Sequence, residues 1–297
     1  HIRQAVFCIG TTHNRHHTRR LFLTESLRNM SSAAKAAGAN AFRAIVRSRV
    51  SARRFEPNKN IPNGIMRDIL ESTITSPSGF NLQPTHVMIV RCQETKHRLA
   101  KEVMLGAGNS YRTIDASAMA VFLADLEVHK RINRIVSLER DAAMRDPNYM
   151  AILPVAASFL TGEGHAATFL KQMATDMLSP VQPMPSIEPV EAWSYKNAAL
   201  VAQTYTLAAT SHGLATCMME GFDTRRAKEI LRVPDRYGVP LMVATGYEYE
   251  GGDGWSGETK RTPRLEMEEV FFGDTFGESL DLDESEQQSN DIKEEVS

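Results

Sequence analysis

The chain has 297 residues, a formal net charge of −2, 42% hydrophobic residues and 24% charged residues. This length allows one large domain or two small ones around a sizeable core, and no apolar run approaches the roughly 18 residues of a membrane span. The near-neutral charge argues against general binding to nucleic acid or anionic membranes, while three widely separated cysteines favour a reducing compartment and form no metal or disulfide framework.

The N-terminal leader differs in composition from the body of the chain. Residues 1–37 are rich in Arg, His, Ser and Thr and contain one acidic residue, Glu25. Such an acid-poor leader is typical of a mitochondrial transit peptide. Because the chain starts at His1, an alternative is untranslated sequence upstream of Met30. The leader's histidines have no carboxylate or thiol partner nearby, so no metal site is predicted there.

The C-terminal residues 278–297 are acidic and lack aromatic side chains. This composition predicts a disordered, solvated tail. The predicted organisation is therefore a leader over residues 1–37, one domain over residues 38–277, and this tail. The leader predicts a mitochondrial protein, and a cytoplasmic one if it is not a targeting signal.

Helical and strand patterns alternate along the body without an internal repeat. Residues 127–190 read as mainly helical. Strands separated by long helices, with no regular βαβ repeat, predict an α+β fold with a mixed sheet flanked by helices. The predicted elements are an amphipathic helix over 62–75, strands over 86–91, 118–126 and 240–248, a helix over 193–211 stopped by Gly213, and a helix over 224–231 capped by Asp223.

The sequence RSRVSARRF at residues 47–55 is the first candidate binding segment. Arg49, Ser51 and Arg53 alternate along it, and side chains two residues apart share a face of an extended backbone. Two guanidinium groups and a hydroxyl on one face suit a phosphate monoester. The alternative is a solvated basic segment between helices.

The sequence SPSGFNLQPTHVMIV at residues 76–90 places many turn residues before an apolar strand. We expect the backbone of Pro77, Ser78 and Gly79 to leave hydrogen-bonding groups free, and Gly79 to permit the close approach of another molecule. The carboxamide of Asn81 is complementary to the edge of an imide-type ring. The alternative is a helix stop followed by an ordinary connecting loop.

Two further segments are weaker candidates. Glu220 and Gly221 lie between two predicted helices, so their amides are expected to point at a ligand, or the glycine simply serves a tight turn. Arg264 could reach a phosphate or be merely exposed. The sequence GAGNS at 106–110 lacks the third glycine and the helix pattern of a dinucleotide fingerprint, and no HExxH, Walker or GxSxG motif occurs.

Taken in order, these four segments resemble the FMN-dependent nitroreductase family. The family pattern R-x-S-x-R/K-x-F is similar to residues 49–55, and P-S-S/G-x-N-x-Q-P is similar to residues 77–84. A G-L pair followed by E-G is similar to residues 213–221, and R-L-P-L-E-E-V is similar to residues 264–270 without the proline. The leader and the sequence CMMEGFD most resemble mitochondrial nitroreductases of parasitic protists.

The resemblance covers about residues 40–275 and implies a nitroreductase-like α+β fold whose mixed sheet is mostly antiparallel. It also implies an interlocked homodimer with two FMN molecules at the interface, in which the loop of residues 77–81 lines the flavin ring of the partner chain. The implied cofactor-binding residues are Arg49, Val50, Ser51, Arg53, Pro77, Ser78, Gly79, Asn81, Glu220, Gly221 and Arg264.

The resemblance also implies a role for several of these residues. Arg49, Ser51 and Arg264 would hold the FMN phosphate, and Arg53 would lie at the N1/O2 side of the ring. The backbone of Glu220–Gly221 would face N5. Some relatives carry a lysine at the position where this chain has Thr262. In this chain, Lys260 or Arg261 would take the place of that lysine.

The implied activity is reduction of nitroaromatics, and of quinones, by NADH or NADPH through a ping-pong mechanism. The flavin would supply the redox chemistry and the protein its orientation and electrostatics. Two other classes stay open at this point. One is a non-redox module that stores flavin, and the other is a reductive dehalogenase or flavin-destroying enzyme on the same fold.

Overall fold

The chain divides into two compact units, His1–Thr259 and Lys260–Ser297. Most of the predicted leader, with its histidines, and most of the predicted acidic tail lie outside the described residues. The computed structural model describes residues 32–143, 145–161, 165–251 and 262–282.

The first unit contains helices on both sides of one sheet. Its helices are α1 (Ser32–Ser48), α2 (Asn63–Thr73), α3 (Gln93–Glu102), α4 (Ala107–Asp115), α5 (Ile132–Ala142), α6 (Pro147–Leu160), α7 (His165–Leu178), α8 (Val190–Ser211) and α9 (Thr224–Leu231). Its strands are β1 (Thr85–Val90), β2 (Ala118–Asp125), β3 (Ala215–Met219) and β4 (Tyr237–Gly246).

The four strands form one sheet in the order β1-β2-β4-β3. All three neighbouring pairs are antiparallel. The free edge of β3 adds a parallel bridge between Ser51 and Thr216. The predicted α+β class, with a mostly antiparallel sheet flanked by helices, is therefore confirmed, and the parallel pairing seen among the described residues is limited to the Ser51–Thr216 bridge.

Strand β2 lies in the centre and is buried along its whole length. Because successive side chains alternate between the two faces of a strand, Phe122 points toward α2 and α8, where it meets Tyr205 edge-to-face at 5.8 Å. Its neighbours Val121 and Leu123 point toward the opposite face, which α3 and α9 cover. The sheet is thus the middle layer of three.

The predicted end signals agree with the observed helices. Gly213 adopts a left-handed φ of 72° just after α8, a conformation that favours glycine. The Asp223 side chain accepts a hydrogen bond of 3.0 Å from the amide of Arg226 and so caps α9. The predictions omitted β3, which lies directly between these two signals.

A buried carboxylate fixes the end of β2 to its neighbours. Asp125 is fully buried, and it accepts two hydrogen bonds from Arg236, at 2.7 and 2.6 Å, and one of 3.0 Å from Arg131. The Glu127 amide adds a fourth. Burial acts to raise the pKa of Asp125, but these hydrogen bonds and the two positive charges outweigh it and hold the pKa below its ordinary value.

The second unit contains a short helix, α10 (Met267–Val270), started by a reciprocal capping box between Glu266 and Glu269. A bridge between Phe272 and Ser279 follows it. The predicted domain limit between residues 277 and 278 therefore falls inside this bridged turn. Similarly, the predicted leader limit at residue 37 falls inside α1.

We expect Asp125→Asn to lower the free energy of unfolding by about 3 kcal/mol, because it leaves two partly buried arginines without their carboxylate. Urea unfolding at one fixed protein concentration measures this change. Asp68→Asn, on the exposed side of α2, is the matched control and should stay within about 0.5 kcal/mol of the wild type. Equal stability of both variants would contradict the role of Asp125.

The same carboxylate predicts a pH dependence. Since the pKa of Asp125 is lower in the folded protein than in the unfolded chain, its stabilisation is complete above the unfolded pKa of about 3.9 and is lost as pH falls through the folded value. The free energy of unfolding should fall less steeply below about pH 4 in Asp125→Asn than in the wild type. Parallel pH profiles for the two proteins would contradict this assignment.

Candidate functional site

The arginine segment, residues 49–53, runs along the free edge of β3. The amide of Ala52 donates a 2.9 Å hydrogen bond to the carbonyl of Thr216. Ala52 is fully buried, whereas Ser51 and Arg53 on either side of it are exposed and Arg49 is half-buried. The alternation expected from the sequence is thus present, and it presents the hydroxyl and the guanidinium outward.

The Gly221 turn, residues 220–222, follows the end of β3. The carbonyl of Gly221 accepts hydrogen bonds from the amide of Leu105 at 2.9 Å and from Nδ2 of Asn109 at 3.1 Å. Within the described part of the chain, the amides of Glu220 and Gly221 donate to no acceptor. Two backbone donors are therefore available at this turn.

Helix α4 connects the arginine segment to the Gly221 turn. Nε of Arg112 donates to the carbonyl of Ala52, and another nitrogen of the same guanidinium donates to Oδ1 of Asn109, both at 3.1 Å. Burial raises the pKa of the nearby Cys217 thiol, and the positive charge of Arg112 opposes that rise. Asn109 and Arg112 of α4 therefore link the segment that carries Ser51 and Arg53 to the Gly221 turn within one chain.

Neither Asn109 nor Arg112 was predicted from the sequence. They bind backbone carbonyls, which leave no mark in a residue pattern. The one available signal was the pair of glycines in GAGNS. Gly106 has a φ of 80° at the start of α4, and a methyl group at Gly108 would lie 3.1 Å from the guanidinium of Arg112.

The prediction that the backbone of Gly79 leaves its hydrogen-bonding groups free is wrong. Its amide is not free, because it donates a 2.9 Å hydrogen bond to Oδ1 of Asn197. The group that approaches Gly79 is the indole of Trp193, since a methyl at this position would lie 2.8 Å from Cζ2 of that ring. The glycine serves a contact within the chain.

The side chains of the loop are also bound within the chain. Nδ2 of Asn81 donates to the buried carboxylate of Glu139 at 2.7 Å, and its oxygen accepts from Gln83. The hydroxyl of Ser78 accepts from the amide of Gln83. Phe80, Asn81 and Gln83 all have left-handed φ angles between 48° and 55°, which these bonds stabilise.

A single chain does not unite the loop with the arginine segment. The loop precedes β1 at one edge of the sheet, and the arginine segment follows the opposite edge at β3. Leu82 packs with Trp193 and the residues of α5 and α6, whereas Ala52 packs in a separate apolar cluster with Cys217. No hydrogen bond or ion pair between described residues joins the two segments.

Arg264 belongs to the second unit. Its guanidinium donates to the hydroxyl and carbonyl of Thr262 at 2.6 and 3.2 Å and to the carbonyl of Pro263 at 3.0 Å. The lysine and arginine that precede Thr262 lie outside the described residues.

The sequence profile of the Nitroreductase family matches residues 46–247. Because this match covers more than half of the chain, the chain belongs to the nitroreductase family. A protein of Thermus thermophilus named NADH dehydrogenase is 27% identical over 205 residues, which are 69% of this chain and 85% of that protein. MhqN of Bacillus subtilis, provisionally named an NAD(P)H nitroreductase, is 26% identical over 208 residues, 70% and 88% of the two chains.

Solved structures show the same fold. A protein from Exiguobacterium sibiricum, solved in complex with FMN, superposes with a TM-score of 0.59 at 19% identity, over 77% of this chain and 95% of that one. A nitroreductase family protein from Streptococcus pneumoniae superposes with a TM-score of 0.55 at 21% identity, over 78% and 99%. The nitroreductase-like fold expected from the motifs is confirmed.

The described residues form neither a metal-binding cluster nor a membrane-spanning helix. Among the described residues, no group of three or more His, Cys, Asp or Glu side chains could hold a metal ion. None of the described helices has the length and apolar character needed to cross a bilayer.

We expect Gly79→Ala to destabilise the protein by about 1–3 kcal/mol, because the added methyl must displace the indole of Trp193. Chemical unfolding measures this cost. Gly64→Ala is the matched control: it lies in α2, its methyl meets no described atom within 4 Å, and it should stabilise by about 0.5–1 kcal/mol. A Gly79→Ala protein as stable as the wild type would contradict the packing of this loop on Trp193.

Proposed function

We propose that this protein is an FMN-dependent NAD(P)H oxidoreductase that reduces nitroaromatics and quinones. The observation that carries the proposal is the pairing, at the β3 edge, of exposed cationic and hydroxyl side chains with the free amides of the Gly221 turn. This donor set fits FMN, which presents an anionic phosphate and the polar edge of a ring. Family membership and the FMN complex of the Exiguobacterium protein support the choice of cofactor.

The proposed roles follow from the chemistry of each group. Arg49, Ser51 and Arg264 are assigned to the phosphate, since guanidinium groups bind phosphate oxygens through two parallel hydrogen bonds. Arg53 is assigned to the N1/O2 edge, where a fixed positive charge stabilises negative charge. Bound FMN would supply the redox chemistry, and these residues its placement and electrostatics.

The amides of Glu220 and Gly221 are assigned to N5, as hydrogen-bond donors held by the turn. Val50 is assigned to the site because it lies between Arg49 and Ser51 in the chain. The sequence contains no dinucleotide-binding fingerprint. The nicotinamide of NADH or NADPH would therefore bind by stacking on the exposed face of the bound flavin ring.

We propose that the protein is a homodimer in which the loop of residues 77–81 completes the site of the partner chain. Two observations support this arrangement. The loop and the arginine segment lie at opposite edges of the sheet in one chain. Helices α6 and α7 also expose large apolar side chains, with Val155 71% and Met177 77% exposed, and apolar surface of this kind marks interfaces.

The proposed mitochondrial location rests on the composition of residues 1–37. The relatives named above are bacterial and do not bear on the suggested closeness to protist enzymes. Sequencing the mature N-terminus of protein isolated from its natural source tests this proposal. A mature chain that retains residues 1–30 would count against a cleaved leader.

The first test is the visible spectrum of the purified protein and its change on adding NADH or NADPH without oxygen. We expect the flavin absorption band, and its bleaching by the reductant. A protein that stays colourless after incubation with FMN contradicts the proposal. A coloured protein that no nicotinamide bleaches indicates flavin storage instead.

The second test separates the arginine roles. We expect Arg53→Ala to retain FMN but to slow its reduction by about 100-fold, as loss of one charge-stabilising donor does. Arg264→Ala should instead raise the Kd for FMN by about 10- to 100-fold. Stopped-flow reduction and FMN titration measure the two effects, with the exposed Arg225→Ala as the control. Identical behaviour of all three variants would refute these assignments.

A further inference from the structure

We propose that Asn109 and Arg112 are positioning residues that hold the two halves of one chain's flavin site in a fixed relation. This pair, named the α4 clamp, acts through hydrogen bonds to backbone carbonyls of the site. The inference rests on the proposed function, because the arginine segment and the Gly221 turn matter together only if both contact one cofactor.

The clamp fixes two peptide groups. Arg112 holds the carbonyl of Ala52, and a trans peptide group points its N–H opposite to its C=O. The amide of Arg53 is therefore directed away from α4, toward the outer side of the segment. At the other end, Asn109 and the amide of Leu105 hold the carbonyl of Gly221 from two directions.

The residue types are specific to this task. Nε and the terminal nitrogen of Arg112 reach two acceptors from one rigid plane, which the single ammonium of a lysine does not reproduce. Asn109 must accept from Arg112 and donate to Gly221 at once, which only a carboxamide does among side chains of this length. An aspartate would turn a carboxylate oxygen toward the Gly221 carbonyl and lose that bond.

Glycines leave the space that the clamp needs. A methyl at Gly221 would lie 2.8 Å from Nδ2 of Asn109, and one at Gly108 would lie 3.1 Å from Arg112. The glycine at position 221 therefore has a reason besides the turn itself, since a side chain there would push the carboxamide away.

The test uses the full chain loaded with FMN and compares Asn109→Asp, Asn109→Ala and Arg112→Lys with the wild type. The measurements are the Kd for FMN, the visible circular dichroism of the bound flavin, and its first-order reduction rate at saturating NADH or NADPH. We expect the variants to bind FMN with altered visible dichroism and to be reduced about 10- to 100-fold more slowly, since small misplacements reduce rates by this order.

Asn133→Asp and Arg225→Lys are the matched controls, because both side chains are exposed and neither bonds to the arginine segment or to the Gly221 turn. They should match the wild type in all three measurements. If Asn109→Ala does not fold, Arg112→Lys, which keeps the charge and most of the volume, decides the question by the same readouts.

The outcomes separate the clamp from the proposed function. A wild type that binds FMN and is reduced, with clamp variants within about twofold of it in rate and unchanged in dichroism, overturns the clamp alone. A wild type that binds no FMN overturns both. Lower thermal stability with unchanged dichroism and rate also overturns the clamp, since it indicates a purely structural role.

Discussion

The order of the strands, β1-β2-β4-β3, decides which site residues one chain can bring together. It places the loop before β1 and the arginine segment beside β3 at opposite edges of a sheet whose neighbouring strands lie about 4.8 Å apart. Buried side chains on both faces hold this order, so the two segments cannot approach each other without unfolding the core. The proposal of a site shared between two chains follows from that constraint.

Each half of the proposed site is held by a different set of bonds. The arginine segment and the Gly221 turn are joined through α4, by hydrogen bonds from Arg112 and Asn109 to backbone carbonyls. The loop is held by Asn197 and Glu139, which satisfy its glycine amide and its asparagine side chain. Preorganised groups of this kind lose little entropy when a ligand binds, which suits a cofactor that stays bound.

The sequence predicted the elements with strong patterns and missed those without them. The buried strand β2 and the long helix α8 were found, because mainly apolar strands and periodic helices have clear sequence patterns. The five residues of β3 were not, since their neighbours already read as a helix stop and a helix cap. Gly79 was predicted to make room for a ligand, whereas it makes room for the indole of Trp193. That contact could not be predicted because Trp193 lies more than a hundred residues away in the chain. Contacts to backbone carbonyls from α4 left almost no signal.

Subunit complementation tests most directly whether two chains build one site. One chain would carry Arg49→Ala with Arg53→Ala, and the other Ser78→Trp, whose indole fills the space beside the loop. Each variant purified alone should retain little FMN. Mixed dimers isolated through two different affinity tags should recover one intact site each, seen as bound flavin that NADH or NADPH bleaches. Mixed dimers with no more flavin than either parent would contradict a site completed by the partner chain.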